Sequence, residues 1–521
     1  MVAALLSSIV IGAAQTRSRT LLTQLKTRAE RTDYRETSRY EDVMSFLNTV
    51  AANSDLVHLT SMGYTSEGRA LPLAIVGQVS DARPETVKGS GKLRIYIQAN
   101  VHAGEVEGKE SSQALVRDIA LGKHNEWLDS MVLLIGPDFN ADGNEKVGLT
   151  NRGPQNGPIG GMGTRANAQG LNINRDYMKL DTPEGRSMVK LLNDYDPHIM
   201  MDLHTTDGSR HAYHLTYETP NNPAVDSSIN RLSLDWMAAV KSTIKSKYGW
   251  EFHAYGNVSG KEPERVWSTV EDLPRYSHNY WGLRNRFGIL SETYSYLTFK
   301  DRVETDNRFL EEVLGYACAN AAKIRKATED ADKQSMIGQQ VSLRSKLKRS
   351  EQMVEILMGE TEDEINPYTG RVMLRRLNVR HPEKMWEEAA FESTDKERVP
   401  SAYYIPATLT VAIERLQAHG IRMERLAQPT ASLEVEEFQI ETNTTTPQAF
   451  ENHKERTVSG KYAPVERTFA AGSYRVSMNQ PLARLAFYLL EPRSNDGLLT
   501  WNFLDDAIKD GKVYPILRTR N

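Results

Sequence analysis

The run Leu93-Arg-Ile-Tyr-Ile-Gln-Ala-Asn-Val-His102-Ala-Gly-Glu105-Val-Glu-Gly108 sets the frame for the rest of the chain. Its first half is apolar, β-branched and aromatic, without the alternation of a half-exposed strand. It therefore reads as a strand buried on both faces. The strand ends at a histidine, a carboxylate follows three positions on, and a helical pattern then runs from Glu107 to a stop near Gly122. A strand passing into a helix through His-x-x-Glu carries two metal-ligating side chains to the carboxyl edge of a sheet, where α/β folds gather their sites.

Outward from this stretch, 131–137 is another continuous apolar run, 198–203 reads as a third apolar strand, and the segment from Phe287 gives a fourth strand signal finishing at Glu292. Helical patterns at 183–194, 229–248 and 303–328 alternate with them. Buried strands alternating with helices predict an α/β fold, a mixed and mostly parallel sheet sandwiched by helices. Segments 56–62 and 71–76 predict two strands joined at Ser66-Glu67-Gly68, and Ser38 with Glu41 has the spacing of a capping box. The polar run 329–352 reads as a helical linker. Beyond about 350 the texture changes: Leu433, Val435, Phe438 and Ile440 alternate, as does 472–478, and 405–420 and Leu482 to Leu489 read as helices. A smaller α+β domain is expected there. The division is thus 15–335 for the domain bearing the site and 336–521 for a linker and accessory domain. Residues 2–11 are apolar and lead into Gly12-Ala13-Ala14, which resembles a signal peptide over 1–14 lacking a basic n-region. A secreted or periplasmic location is the matching expectation.

Composition narrows the chemistry. With 64 Lys and Arg against 68 Asp and Glu, the net charge is −4 over 521 residues. No basic surplus points to nucleic acid or an anionic membrane. No apolar run approaches the ~18 residues of a membrane span. Cys318 is the one cysteine, so neither an intrachain disulfide nor a thiolate zinc site is available. Metal chemistry must draw on His, Asp and Glu.

A catalytic zinc typically takes three protein ligands and keeps a fourth position for water. His102 and Glu105 supply two. His204, at the end of another apolar strand, is the candidate third, and Glu292, ending a fourth, is the candidate base for the water. His211 and His214 compete as ligands but lie in a loop with no strand to fix them. Asp138 to Gly143 opens like a calcium loop, yet Leu149 stands where the twelfth-position Glu would be, so a turn is expected. The glycine-rich run 157–163 lacks the Gly-Lys-Ser/Thr ending of a phosphate loop and reads as an irregular active-site loop.

Taken in order, His102-Ala-Gly-Glu105, Asn140-Ala-Asp142-Gly143, Arg165-Ala-Asn-Ala-Gln-Gly-Leu-Asn-Ile-Asn174-Arg175, Asp202-Leu-His204 and Leu290-Ser-Glu292 resemble the zinc carboxypeptidase family, the carboxypeptidase A-like metallopeptidases, over about 35–325. The resemblance implies one Zn2+ on His102, Glu105 and His204, with Glu292 as general base and then general acid. It implies that Arg165 stabilises the oxyanion, with Arg152 as the fallback, and that Asn174 and Arg175 hold the free C-terminal carboxylate of a peptide substrate. It also implies a substrate-contacting tyrosine before the base, for which Tyr276 and Tyr280 are the candidates. The implied activity is hydrolysis of the C-terminal amide of peptides. The alternatives are a related zinc amidohydrolase acting on cell-wall peptides or N-acyl amino acids, and a catalytically silent binding module.

Overall fold

The computed structural model describes residues 18–206, 208–261, 264–508 and 511–520. The signal-like segment 1–14 lies outside the described residues. Ten strands build the part that carries the site: β1 (Val57–Tyr64), β2 (Ala70–Val76), β3 (Leu93–Ala99), β4 (Met131–Gly136), β5 (Ile199–Thr206), β6 (Leu215–Glu218), β7 (Phe252–Ala254), β8 (Asn257–Ser259), β9 (Val266–Ser268) and β10 (Phe287–Tyr294). Eight form one sheet in the order β1-β2-β4-β3-β5-β10-β6-β7. The central four, β4-β3-β5-β10, run parallel, and antiparallel pairs flank them. The sheet is mixed and mostly parallel at its centre, as the sequence predicts.

Burial on both faces explains the apolar strands. On one face, Ile95, Ile97, Met201, Leu203 and Ile289 pack under the helices Tyr40–Ala51, Glu107–Ala120, Ser227–Tyr248 and Phe299–Ala319. On the other, Tyr96, Leu134 and Met200 join a core with Met188 and Leu192 of the helix Pro183–Tyr195, and with Tyr280 and Trp281 of the helix Ser277–Leu283. This second core continues without a break into Tyr403, Leu416, Leu485, Phe487, Leu489 and Trp501 from the end of the chain.

Some local readings change. Ser38 caps nothing; its hydroxyl donates to Glu110 Oε2 at 2.9 Å, and the helix begins at Tyr40 with Asp42 accepting from the Arg39 N–H. The helix expected over 303–328 is two, Phe299–Ala319 and Ala321–Lys333, broken at Asn320. The linker at 329–352 is instead a helix end followed by the strand Gln340–Lys348, paired antiparallel with Ala390–Arg398. Only Val341, Ser342 and Leu343 of that strand are buried, too short a run to signal a strand against its charged remainder. The expected helix at 405–420 starts later, Thr410–Ala418, because Ala402–Ile405 is a strand.

Candidate active site

The carboxyl ends of β3, β5 and β10 lie side by side, and register sets what meets there. Gln98 pairs with Asp202, and His204 pairs with Glu292. Paired residues of neighbouring strands share a face, so Gln98, Asp202, His204 and Glu292 all project from one side of the sheet. His102 follows β3 through Asn100, which adopts a left-handed φ of 61° and donates to Asp138 Oδ1 at 2.6 Å. The Glu105 N–H donates to the His102 carbonyl at 2.8 Å, closing the turn that puts His102 and Glu105 side by side.

That turn recruits the next loop. The Ala103 N–H donates to the Thr164 carbonyl and the Gly163 N–H to the Ala103 carbonyl, each at 3.1 Å. This short ladder delivers Arg165, whose Nη1 lies 3.3 Å from His102 Nδ1 and 3.9 Å from Glu105 Oε1. The Asn140 side chain braces both segments by donating to the carbonyls of Val101 and Arg165, and it caps the short helix Ala141–Glu145. Asp142 accepts from Thr65, Arg69 and the Glu67 N–H. It ties β1 and β2 to this segment, a short helix where the sequence suggests a turn.

His102, Glu105 and His204 offer ligand atoms that all lie within 4.8 Å of one another, and all three residues are buried. His102 Nδ1 is 3.0 Å from Glu105 Oε1, and His204 Nδ1 is 2.8 Å from Glu105 Oε2. The outward nitrogens have acceptors beside them. His102 Nε2 faces Asn172 Oδ1 at 3.1 Å, and His204 Nε2 is in charge contact with Asp202 Oδ2 at 3.1 Å. The acceptor beside His102 Nε2 holds the proton there and leaves its Nδ1 lone pair directed at Glu105, while His204 presents its Nδ1 to the same carboxylate. Ligands about 2.0–2.1 Å from a tetrahedral zinc sit about 3.3 Å apart, close to the spacings seen. The donor set fits zinc.

The charges agree. Burial, with cationic Arg165 nearby, pushes His102 down to about 3, the neutral form a metal requires. Burial disfavours a charged Glu105, but His102, Arg152 and His204 hold it ionised well below the usual carboxylate range. Burial likewise opposes a charged His204, and Asp202 and Glu105 outweigh it, raising this imidazole. Two carboxylates converging on one imidazole make a strongly cation-favouring point. Glu292 is pushed up to about 8, first by burial, with His204 opposing and Glu105 and Glu218 adding to it. A carboxyl poised near neutrality beside a metal-type donor set can carry a proton in both directions.

Arg175 is packed into the protein with its guanidinium 4.1 Å over the Tyr276 ring, donating to the Asn174 carbonyl at 2.7 Å. No carboxylate pairs with it among the described residues; the neighbouring Asp176 is engaged by Lys179 and Thr182. Asn174 Oδ1 is buried without a hydrogen-bond partner. Tyr280 lies elsewhere. It is 0% exposed, in the second core, with its hydroxyl 2.8 Å from His419 Nδ1. Of the two candidate tyrosines, Tyr276 faces Arg175 and Tyr280 is a core side chain, because the helix Ser277–Leu283 turns Tyr280 inward.

The competing ligands stand apart from the cluster. The His211 ring lies tilted against Tyr294 at 4.0 Å and the His211 backbone bridges to Met358, while His214 stacks on Trp250 at 5.0 Å. Arg152, the fallback for the oxyanion role, has a side chain 9% exposed and is locked to Glu105 Oε1 at 2.6 Å. It crosses Gly104 so closely that a Cβ there would lie 2.5 Å from Arg152 Cγ. Two partners escape the sequence reading. Asp202 is signalled by its two-residue offset from His204, which places both on one strand face. Asn172 has no such signal, since only the turn brings it to His102.

Residues 43–280 match the family model described as zinc carboxypeptidase. Carboxypeptidase 2 of Trichophyton rubrum is 22% identical over 93% of this chain and 87% of its own length. Carboxypeptidase 2 of Trichophyton tonsurans is 22% identical over 92% and 86%. Among solved structures, a metallo-carboxypeptidase from Burkholderia cenocepacia aligns with 18% identity over 55% of this chain and 71% of its own, with a TM-score of 0.42. The match to zinc carboxypeptidases thus falls on residues 43–280, the stretch that carries His102, Glu105 and His204, and a likeness to carboxypeptidases extends along most of the chain.

Proposed function

We propose that this enzyme removes the last residue of peptides that end in a free carboxylate, using one zinc ion held by His102, Glu105 and His204. The observation that carries the reading is the pair of Nδ1 atoms directed at Glu105, with Glu292 next to His204 in the strand register. Zinc at such a site polarises a carbonyl and acidifies water. The chain's own residues do the rest. Glu292 takes a proton from the attacking water as its oxygen bonds to the scissile carbonyl carbon. Arg165 faces the oxygen on which negative charge develops. As the carbon–nitrogen bond breaks, Glu292 passes its proton to the leaving amine. Arg175, a half-buried cation with no acidic partner among the described residues, receives the substrate carboxylate through its planar fork, and Tyr276 keeps that guanidinium oriented. Asn174 adds a hydrogen bond to the same group.

A mixed set of peptides, each present as free acid and as C-terminal amide, tests this. Release of the last residue from the free acids alone is expected, and comparable cleavage of the amides would overturn the role of Arg175. Asp202 supports the ligand set from behind. Asp202→Asn removes the charge that holds His204, and outer partners of this kind typically contribute 10–100-fold to metal affinity. Zinc affinity measured by chelator competition is expected to fall within that range.

Residues 15–335 are taken as the catalytic unit and 336–521 as an accessory unit packed on it. Segment 1–14 is taken as an export signal, so the enzyme would act outside the cytoplasm. No described helix is long and apolar enough to cross a membrane.

A further inference from the structure

The strands Leu433–Thr445 and Arg456–Arg467 form a long hairpin in the last third of the chain. At its tip, Phe450 and His453 exchange backbone hydrogen bonds, Phe450 N–H to the His453 carbonyl at 2.8 Å and the reverse at 2.9 Å. They enclose Glu451 and Asn452, both left-handed, with φ of 48° and 68°. A two-residue turn with two positive φ values calls for Asn or Gly at its first position. Glutamate there is strained, and nothing in the turn itself asks for it.

The side chain supplies the reason. Glu451 Oε2 accepts the Asn172 backbone N–H at 2.9 Å. Asn172 caps the short helical turn Ile173–Arg175, accepting from the Asn174 N–H at 3.1 Å, and the same Oδ1 faces His102 Nε2 at 3.1 Å. One carboxylate near the chain's end is therefore two contacts away from a ligand near its start. Other groups fix the tip independently. His453 Nε2 is 2.9 Å from Asp181 Oδ2, and the His453 ring meets Trp501 at 5.6 Å. Arg275 lies 4.4 Å over Trp501 and 5.5 Å over Phe450, and it pairs with Glu455 at 2.6 Å. Glu451 is thus presented to the loop by a turn that does not depend on it for its place.

We propose that Glu451 is a positioning residue for the metal centre: it fixes Asn172, which in turn holds the His102 imidazole with its Nδ1 free for the ion. This rests on the zinc reading of the site. It makes the accessory unit a supplier of one outer support of the catalytic ion.

The test uses the full chain with Glu451→Gly and Glu451→Gln, reading zinc Kd by chelator competition, Tm of the zinc-free protein, and kcat apart from KM. Glu451→Gly is expected to weaken zinc binding about tenfold, the low end for outer partners of a ligand. Its zinc-free Tm should stay level or rise, since glycine suits a positive φ. Glu451→Gln keeps an oxygen acceptor and should bind zinc like the parent. The proposal is overturned if the glycine variant binds zinc like the parent. It is equally overturned if affinity and zinc-free Tm fall together, the mark of a structural role, or if glutamine is as impaired as glycine. A parent protein that takes up no zinc would instead defeat the reading of the site itself.

Discussion

Glu292→Gln is expected to lower kcat about 10³-fold while leaving zinc affinity at the parent level; a positioned general base typically contributes 10²–10⁴-fold. The glutamine would keep the shape and a hydrogen-bonding oxygen but could neither accept nor return a proton. Glu292 is not among the three clustered ligands, so the ion should remain. Retained peptidase turnover in this variant would refute the proposed mechanism. The substitution also has a signature in the zinc-free protein. Burial raises Glu292 to about 8, above the ordinary carboxylate value, so the fold favours its protonated form. The stability this group contributes is fully present below about 4.5 and is lost as pH climbs through about 8. Glu218, also raised to about 8 by burial, acts in the same window. Zinc-free Glu292→Gln should therefore melt at a higher temperature than the parent above pH 8, and match it near pH 4. A parent whose zinc-free Tm is flat between pH 5 and 9 would contradict this.

Arg165→Ala should reduce kcat about 10²–10³-fold, equivalent to about 2.7–4 kcal/mol of transition-state stabilisation, the usual loss for one oxyanion donor. KM should move little, because the charge Arg165 answers develops only as the carbonyl is attacked. The setting of Arg165 suits this role. Its side chain is 46% exposed, with the guanidinium at the edge of the ligand cluster and no short ion pair holding it. Arg152 cannot substitute, being committed to Glu105 at 2.6 Å. If Arg165→Ala raised KM with kcat unchanged, the arginine would be a ground-state binder.

The parallel strands are readable in the sequence because burial on both faces leaves an apolar run without alternation, as in Ile95 to Ile97 and Ile199 to Met201. The ligand cluster is readable because those runs end in His and Glu. The hairpins between 354 and 398 are not. Strands such as Thr361–Ile365 and Ala390–Arg398 have no buried position, every residue being exposed or half-buried, so their side chains answer to solvent. Their pairing is backbone chemistry that composition does not record. Tyr280 is misplaced for a related reason: spacing along the chain cannot say which way a two-turn helix faces. Asn172 and Glu451 are invisible because both act through hydrogen bonds between distant segments, 70 residues apart for Asn172 and His102 and 279 for Glu451 and Asn172.

The core that runs from Met200 and Trp281 into Phe487 and Trp501 bears on how the enzyme is made. A ribosome that has emitted only the first 335 residues has released the sheet, the His102, Glu105 and His204 cluster and Glu292. The helices that cover one face of that sheet, with Tyr280, Trp281 and Leu283, would still lack their packing partners Phe487 and Trp501. Such a nascent intermediate would be sticky and would lack the outer support from the last third of the chain. Full support of the metal site would then come only once the segment bearing Glu451 has folded onto it.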